Sequence, residues 1–223
     1  MEENIDIKKF LLNLVINIVI PIAILLKFSS YLGPINAFIV ALIFPLGYGL
    51  YDFFKDRKVN FYSLIGIFGI LVTVGIGFLK LDPELIAIKE ALIPLAIGIG
   101  ILVLEKGNKF VRKFLDKMLD MKKIQSVLKR KDKTKEFDRL LNKTTYIFVS
   151  GFFASSIVNY LIAKAVVVSQ PGTATFNEQY ALLTLLNFPA LIIPIVASLF
   201  LSLYYLNKNI ERITGIEIDK FYR

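Results

Sequence analysis

Three residue types are missing from this chain: it has no cysteine, no histidine and no tryptophan. Without cysteine there is no disulfide, no thiolate nucleophile and no redox pair, and the redox compartment leaves no mark on the sequence. Without histidine as well, thiolate and imidazole metal sites, haem ligation by histidine, and Ser–His or Cys–His catalytic pairs are excluded. Acid is also scarce where the chain is most apolar. Glu90 is the one carboxylate that stands well inside a long apolar run.

What is present in quantity is apolar surface. Of 223 residues, 56% are hydrophobic, against about 45–50% in soluble domains. Runs of about 18–20 residues match a hydrocarbon core of about 30 Å when wound as helix. The expected fold class is therefore all-α, a polytopic membrane protein with six transmembrane helices at 10–26, 34–54, 61–79, 85–104, 144–168 and 180–206. This divides the chain into helices one to four (1–104), a connector (105–143), helices five and six (144–206) and a tail (207–223). Lys8 and Lys9 resemble the n-region of a signal peptide. The run after them is long and carries no small-residue cleavage motif, so it is expected to be retained.

Basic residues decide orientation, because Lys and Arg concentrate on the cytoplasmic side. With the N-terminus inside, that side receives Lys8, Lys9, Lys55, Arg57, Lys58, the basic residues from Lys106 to Lys143, and Lys208, Arg212, Lys220 and Arg223, which is 23 of 27. The outer ends receive Lys27 and Lys80, and Lys89 and Lys164 fall within spans. Both termini are expected in the cytoplasm. The net charge of +9 is thereby accounted for without nucleic acid, since no separate basic domain with interleaved aromatics is present. Lysines facing anionic headgroups contribute about 1 kcal/mol each, so the lipid bilayer and its anionic headgroups are the expected partners of the connector.

Within the connector, "KFVRKFLDKMLDMKKIQSVLKRK" puts Phe110, Val111, Phe114, Leu115, Met118, Met121, Ile124 and Leu128 at helical spacing, with Lys and Arg opposite. A basic amphipathic helix of this kind lies in a headgroup plane or docks on a partner. It serves either as a docking arm or as a connector resting on the bilayer or the bundle. A short helix around 135–141 is expected to lead into span five.

The candidate site comes from polar residues in the spans. "IKEALIP" places Lys89 and Glu90 five or six residues into span four, about 8 Å below its outer boundary at about 1.5 Å per residue. Lys164 and Asn159 in span five, Asn187 in span six and Asn17 in span one complete the set. A charge in the bilayer centre costs about 2.5–3.5 kcal/mol and usually pairs or faces water. Lys89 points about 100° away from Glu90 on a helix. We therefore expect either a pair of Glu90 with Lys164 or a Glu90 that titrates in a water-filled vestibule. Lys27, Lys89 and Lys164 have the alternative of snorkelling to the headgroups. Asn13 and Asn17, four apart, read more simply as interhelical glue.

Five prolines lie inside the spans: Pro21, Pro45, Pro94, Pro189 and Pro194. Each removes a backbone hydrogen bond and serves as a hinge or a passive kink. Gly151 and Ser155 would allow a close helix approach. "IPIAILL" and "IPLAIGI" sit in comparable places in spans one and four, the pattern of two inverted three-span halves. The "QPGTATFNEQ" stretch (170–179) is expected to be a loop that gates the mouth.

The stretch "FPLGYGLYDFFKDRKVNFYSLIGIFGILVTVGIGFLKLDPELIAIKEALIPLAIGIG", with "SIVNYLIAKAVVVSQPGTATFNEQ" and "NFPALIIPIV", resembles a poorly characterised bacterial inner-membrane family related to intracellular septation protein A. The resemblance covers spans two to six. It implies a place in envelope synthesis or division and, in the wider group, permease-like behaviour. It matches Lys89, Glu90, Pro94, Asn159, Pro171 and Gly172, and it implies no reaction or substrate.

Two functions follow as expectations. One is an inner-membrane transporter or channel-like protein with an outward polar site for a small ion, amphiphile or lipid, in which Glu90 binds a cation or proton. In that site Lys89 or Lys164 balances charge, and Asn159 and Asn187 supply hydrogen bonds. The other is a non-catalytic scaffold that organises envelope-synthesis proteins or a second copy of the chain. One deep carboxylate without His, Cys or a second acid argues against an enzyme, and no cofactor or metal is expected.

Overall fold

The computed structural model describes residues 7–56, 61–104 and 109–222. Of the basic residues that set the expected orientation, Arg57, Lys58, Lys106 and Arg223 lie outside the described residues. The described residues are all-helical, with 88% of them in helix. Among the described residues the β geometry is one isolated bridge between Leu119 and Tyr222. The described residues form ten α-helices in order: α1 (Ile7–Leu14), α2 (Ile20–Lys27), α3 (Ser29–Leu32), α4 (Pro34–Asp56), α5 (Phe61–Phe78), α6 (Glu84–Leu104), α7 (Lys109–Met118), α8 (Met121–Arg130), α9 (Thr134–Val166) and α10 (Ala174–Thr214). A π-turn, Val15–Val19, joins α1 to α2, and a 3₁₀ turn, Ile218–Phe221, follows α10. Among the described residues four helices are long and apolar enough to cross a bilayer, over Pro34–Tyr51, Glu84–Val103, Thr134–Val166 and Ala174–Thr214. Two shorter apolar stretches, Leu11–Lys27 and Ile67–Phe78, stand beside them.

Helix ends follow local chemistry. The π-turn sits just before Pro21, where Ile20 N–H reaches back to the Val15 carbonyl, so the extra residue in the turn accommodates a proline that has no N–H. Gly33 takes φ +79°, a value open to glycine, and Pro34 then opens α4 with the fixed φ of a first helical residue. Asp82 accepts from Glu84 N–H at 2.8 Å and so caps α6.

The "QPGTATFNEQ" expectation is corrected here. Thr173 Oγ1 accepts from Phe176 N–H at 3.1 Å, and α10 begins at Ala174, so half of the expected gating loop is helix. Gln179 Oε1 accepts from the N–H groups of Val168 and Ser169, which ties the remaining turn to α10. The expected 135–141 helix is likewise the first part of α9. The connector is two helices rather than one, broken where Asp120 Oδ1 accepts from Lys123 N–H at 3.0 Å and caps α8.

The chain forms two compact units, to both of which α6, α9 and α10 contribute. One takes in the chain up to Ile93 together with Ser156–Ala190. Its core joins Leu25, Phe38, Ile76, Ile86, Phe176 and Leu183. Phe38 lies 5.3 Å from Phe176 and 5.2 Å from Tyr180, ring to ring. A Cβ at Gly77 would overlap the Phe38 ring, so α5 and α4 meet there only because a side chain is missing.

The second unit takes in Pro94–Ser155 and the chain from Leu191 onward. Its larger core unites the apolar stripe of α7 and α8 (Val111, Leu115, Met121, Ile124, Leu128) with Phe137 and Leu141 of α9, Leu206 and Ile210 of α10, and Phe221 beyond it. The stripe has the readings of a docking arm or a connector resting on the bilayer or the bundle, and its buried part packs on protein. Phe110's side chain lies outside the described residues, and Phe114 and Met118 remain partly exposed. Phe221 is fully buried and its carbonyl accepts from Asp120 N–H at 2.7 Å, which fastens the end of the chain to the start of α8.

Candidate functional site

In the first unit a polar cluster forms among apolar side chains. Lys89 Nζ pairs with the carboxylate of its neighbour Glu90 on α6, and both side chains are about nine-tenths buried, at 11% and 10% exposure. From α10, the Tyr180 hydroxyl lies within electrostatic reach of both and close to Thr73 of α5. Thr73, itself buried, donates to the Gly69 carbonyl at 2.9 Å. From α9, Ser156 Oγ donates to the Ala91 carbonyl at 2.8 Å. This brings the face of α9 that carries buried Asn159 against α6 beside Glu90. Asn187 stands seven residues beyond Tyr180 on the same face of α10, and its Oδ1 is buried with no hydrogen-bond donor.

The energetics of the cluster come from desolvation. A buried ion pair gains little net stability, but removing one partner leaves an uncompensated charge. A buried carbonyl oxygen without a donor carries its own penalty. Asn187 Oδ1 is thus a place where a donor or a cation would be stabilised, about two helical turns along α10 from Tyr180.

The expected pairing of Glu90 with Lys164 is not formed. Lys164 Nζ lies 2.8 Å from Glu84 Oε1, which also accepts from the Tyr160 hydroxyl at 2.8 Å. Glu84 begins α6 and both partners are about half exposed, so the lysine reaches the acid that stays solvated. Lys89 is free to turn to Glu90 because its four-carbon stem curls across the 100° between neighbours. Asn17 is not glue between helices either: its Nδ2 donates to Asn13 O and Oδ1, both at 2.9 Å, within one helical stretch. That leaves it outside the cluster.

The prolines part company too. Pro45 and Pro94 lie inside α4 and α6, Pro189 and Pro194 are absorbed by an unbroken α10, and Pro21 follows the π-turn. Gly151 does let helices close: a Cβ there would overlap Ser198 and stand 2.8 Å from the Pro194 carbonyl oxygen. Ser198 Oγ donates to the Phe148 carbonyl at 2.9 Å across the same approach.

Sequence reading missed Thr73, Tyr180, Glu84 and Tyr160 as site residues. Thr73 had a signal, being the one hydroxyl in the apolar run "GILVTVGIG". It also missed Asn177, fully buried, whose Nδ2 donates to Ser29 Oγ and to the Pro34 carbonyl, both at 2.8 Å, and whose Oδ1 is left without a donor. Its place in an expected loop concealed it.

The architecture defines a class: an all-helical protein with helices of membrane-crossing length and a charged cluster buried among apolar ones. Comparison with models of protein families, with curated proteins and with solved structures finds no match for this chain.

Proposed function

We propose that this protein is a small inner-membrane transporter or channel-like protein whose site is the Lys89, Glu90, Thr73 and Tyr180 cluster with Asn159 and Asn187. The observation that carries this reading is the desolvated pair of Lys89 and Glu90 with the Tyr180 hydroxyl of another helix in electrostatic reach of both. Ionisable groups within membrane helices most often mark ion or substrate pathways. The ligand class is a small ion or the polar head of an amphiphile or lipid. Glu90 receives the cationic or protic part, Lys89 the anionic part, and Asn187 the donor its oxygen needs.

The reading takes the six apolar stretches as spans, both termini as cytoplasmic and the cluster as opening outward, as the distribution of Lys and Arg supports. The resemblance to relatives of septation protein A supports a proposed place in the bacterial envelope. A scaffold is the second reading, and one observation favours it: Lys89 and Glu90 already neutralise each other, so the pair is complete without a ligand. Envelope-synthesis proteins or a second copy would then meet the helix surfaces.

The chain has no cysteine, so accessibility is directly testable. In Asn187→Cys, a membrane-impermeant sulfonate thiol reagent added outside is expected to react, more slowly than with Ser169→Cys in the α9 to α10 turn. Reaction at 169 with none at 187 from either face would sink the open-site reading in favour of the scaffold.

A further inference from the structure

The ends of α9 and α10 line a polar cavity in the other unit. It has a volume of about 200 Å³ and is lined by Glu136, Arg139 and Lys143 of α9 and by Tyr205, Asn209 and Arg212 of α10. Three cations face one carboxylate, and that carboxylate is largely committed elsewhere. Glu136 Oε2 binds Lys133 at 2.7 Å, while Oε1 approaches Arg212 only to 3.7 Å. Arg139 acts on Glu136 only at longer range, and among the described residues Lys143 has no ion partner. Asn209 is held in place, its Nδ2 donating to the Tyr205 carbonyl at 2.7 Å.

The cavity's place along the helices matters as much as its charge. Lys143 immediately precedes Thr144, where the apolar run of α9 begins, and Tyr205 lies at the end of the apolar run of α10. A Tyr at such a junction, with Lys and Arg just beyond it, marks headgroup level in membrane helices. Guanidinium forks match phosphate oxygens two at a time, and basic pockets between membrane helices hold phosphorylated headgroups.

We infer that this cavity is a phosphate-binding site, with Arg139 and Arg212 as the two forks and Lys143 as a supporting charge, occupied by the headgroup of an anionic phospholipid. The site belongs to a different unit from the Lys89 and Glu90 cluster and does not depend on that cluster having a ligand.

The test is thermal unfolding of the full-length protein in neutral detergent, titrated separately with phosphatidylglycerol, phosphatidylcholine and inorganic phosphate. It is run on wild type, Arg139→Gln/Arg212→Gln, and a control, Lys122→Gln/Lys129→Gln, which removes the same charge from the exposed face of α8. Phosphatidylglycerol is expected to stabilise wild type and control alike, with phosphatidylcholine well behind. The arginine variant should need at least about tenfold more phosphatidylglycerol, as befits charge-assisted hydrogen bonds of about 1.5–3 kcal/mol. Both arginines are exposed, so the variant should unfold at the wild-type temperature when no lipid is added. If it does not, Arg139→Lys/Arg212→Lys, which keeps charge and loses the forks, replaces it with the same expectation. Stabilisation by inorganic phosphate equal to that by phosphatidylglycerol would overturn the lipid assignment in favour of a soluble phosphoanion. Equal lipid affinity in the arginine variant, or an equal loss in the control, would overturn the site.

Discussion

Neighbours on a helix diverge by about 100°, and for that reason the sequence places Glu90 correctly as a lone buried acid but not its partner. Two adjacent residues look unlikely to face each other until the reach of a lysine stem is counted. The real competitor for Lys164 was Glu84, which reads as a helix boundary rather than a ligand. The pairing leads to an asymmetric prediction. Glu90→Gln alone should destabilise the protein by about 3–5 kcal/mol by stranding Lys89, and Lys89→Met/Glu90→Gln should restore most of that loss, as measured by unfolding in detergent. A double variant no more stable than the single one would show that the two charges act separately. At Asn177, replacement by Ala removes the buried hydrogen bond to Ser29 Oγ and the partly buried one to the Pro34 carbonyl, while Ser29 keeps its bond to the Leu25 carbonyl. A loss of about 1–3 kcal/mol is expected, and an unchanged unfolding midpoint would show that the α3 to α4 turn holds without it.

Helix existence was legible from apolar periodicity, while several ends were not. The first turns of α10 carry the polar run "ATFNEQ" after Pro171 and Gly172, which reads as loop. Tertiary partners for Phe176 and Asn177 make it helix instead. The break between α7 and α8 has no proline or glycine to announce it, only Asp120 in a capping position. The stripe of the connector was legible too, but a stripe alone does not say whether lipid or protein covers it. Here Phe221, far along the chain, supplies part of the cover beside Phe137, Leu141, Leu206 and Ile210. Phe221→Ala should therefore cost about 3–5 kcal/mol in the second unit, read as early loss of α7 and α8 protection in hydrogen exchange. Protection equal to wild type would return the stripe to the bilayer. At the α9 to α10 approach, Gly151→Val must displace a backbone carbonyl as well as Ser198. A cost of at least about 1–3 kcal/mol is expected, and Ser198→Gly should recover only part of it; full recovery would mean that the Pro194 carbonyl is not the obstacle.

For the whole molecule, all-helical class and membrane-length helices were readable from composition, because a bilayer leaves the backbone few alternatives. The buried cluster was readable in part. Residues that are rare in lipid stand out singly, but a Tyr and a Thr that complete the site are ordinary in such helices. Orientation is tested with Ser126→Cys, on the exposed face of α8. It should react with impermeant reagent in inverted vesicles and not in intact cells, and the reverse would invert the topology. The most direct measurement on the cluster is thermal unfolding of wild type beside Lys89→Met/Glu90→Gln, against a panel of ions, organic anions, amphiphiles and lipids. A ligand at a hundred times its dissociation constant stabilises the folded protein by about 2.7 kcal/mol. The account predicts that at least one class raises the unfolding temperature of wild type and leaves the double variant where it was. A wild type that no class shifts, beside a double variant that folds equally well, would contradict it and make Lys89 and Glu90 a sealed pair in a scaffold.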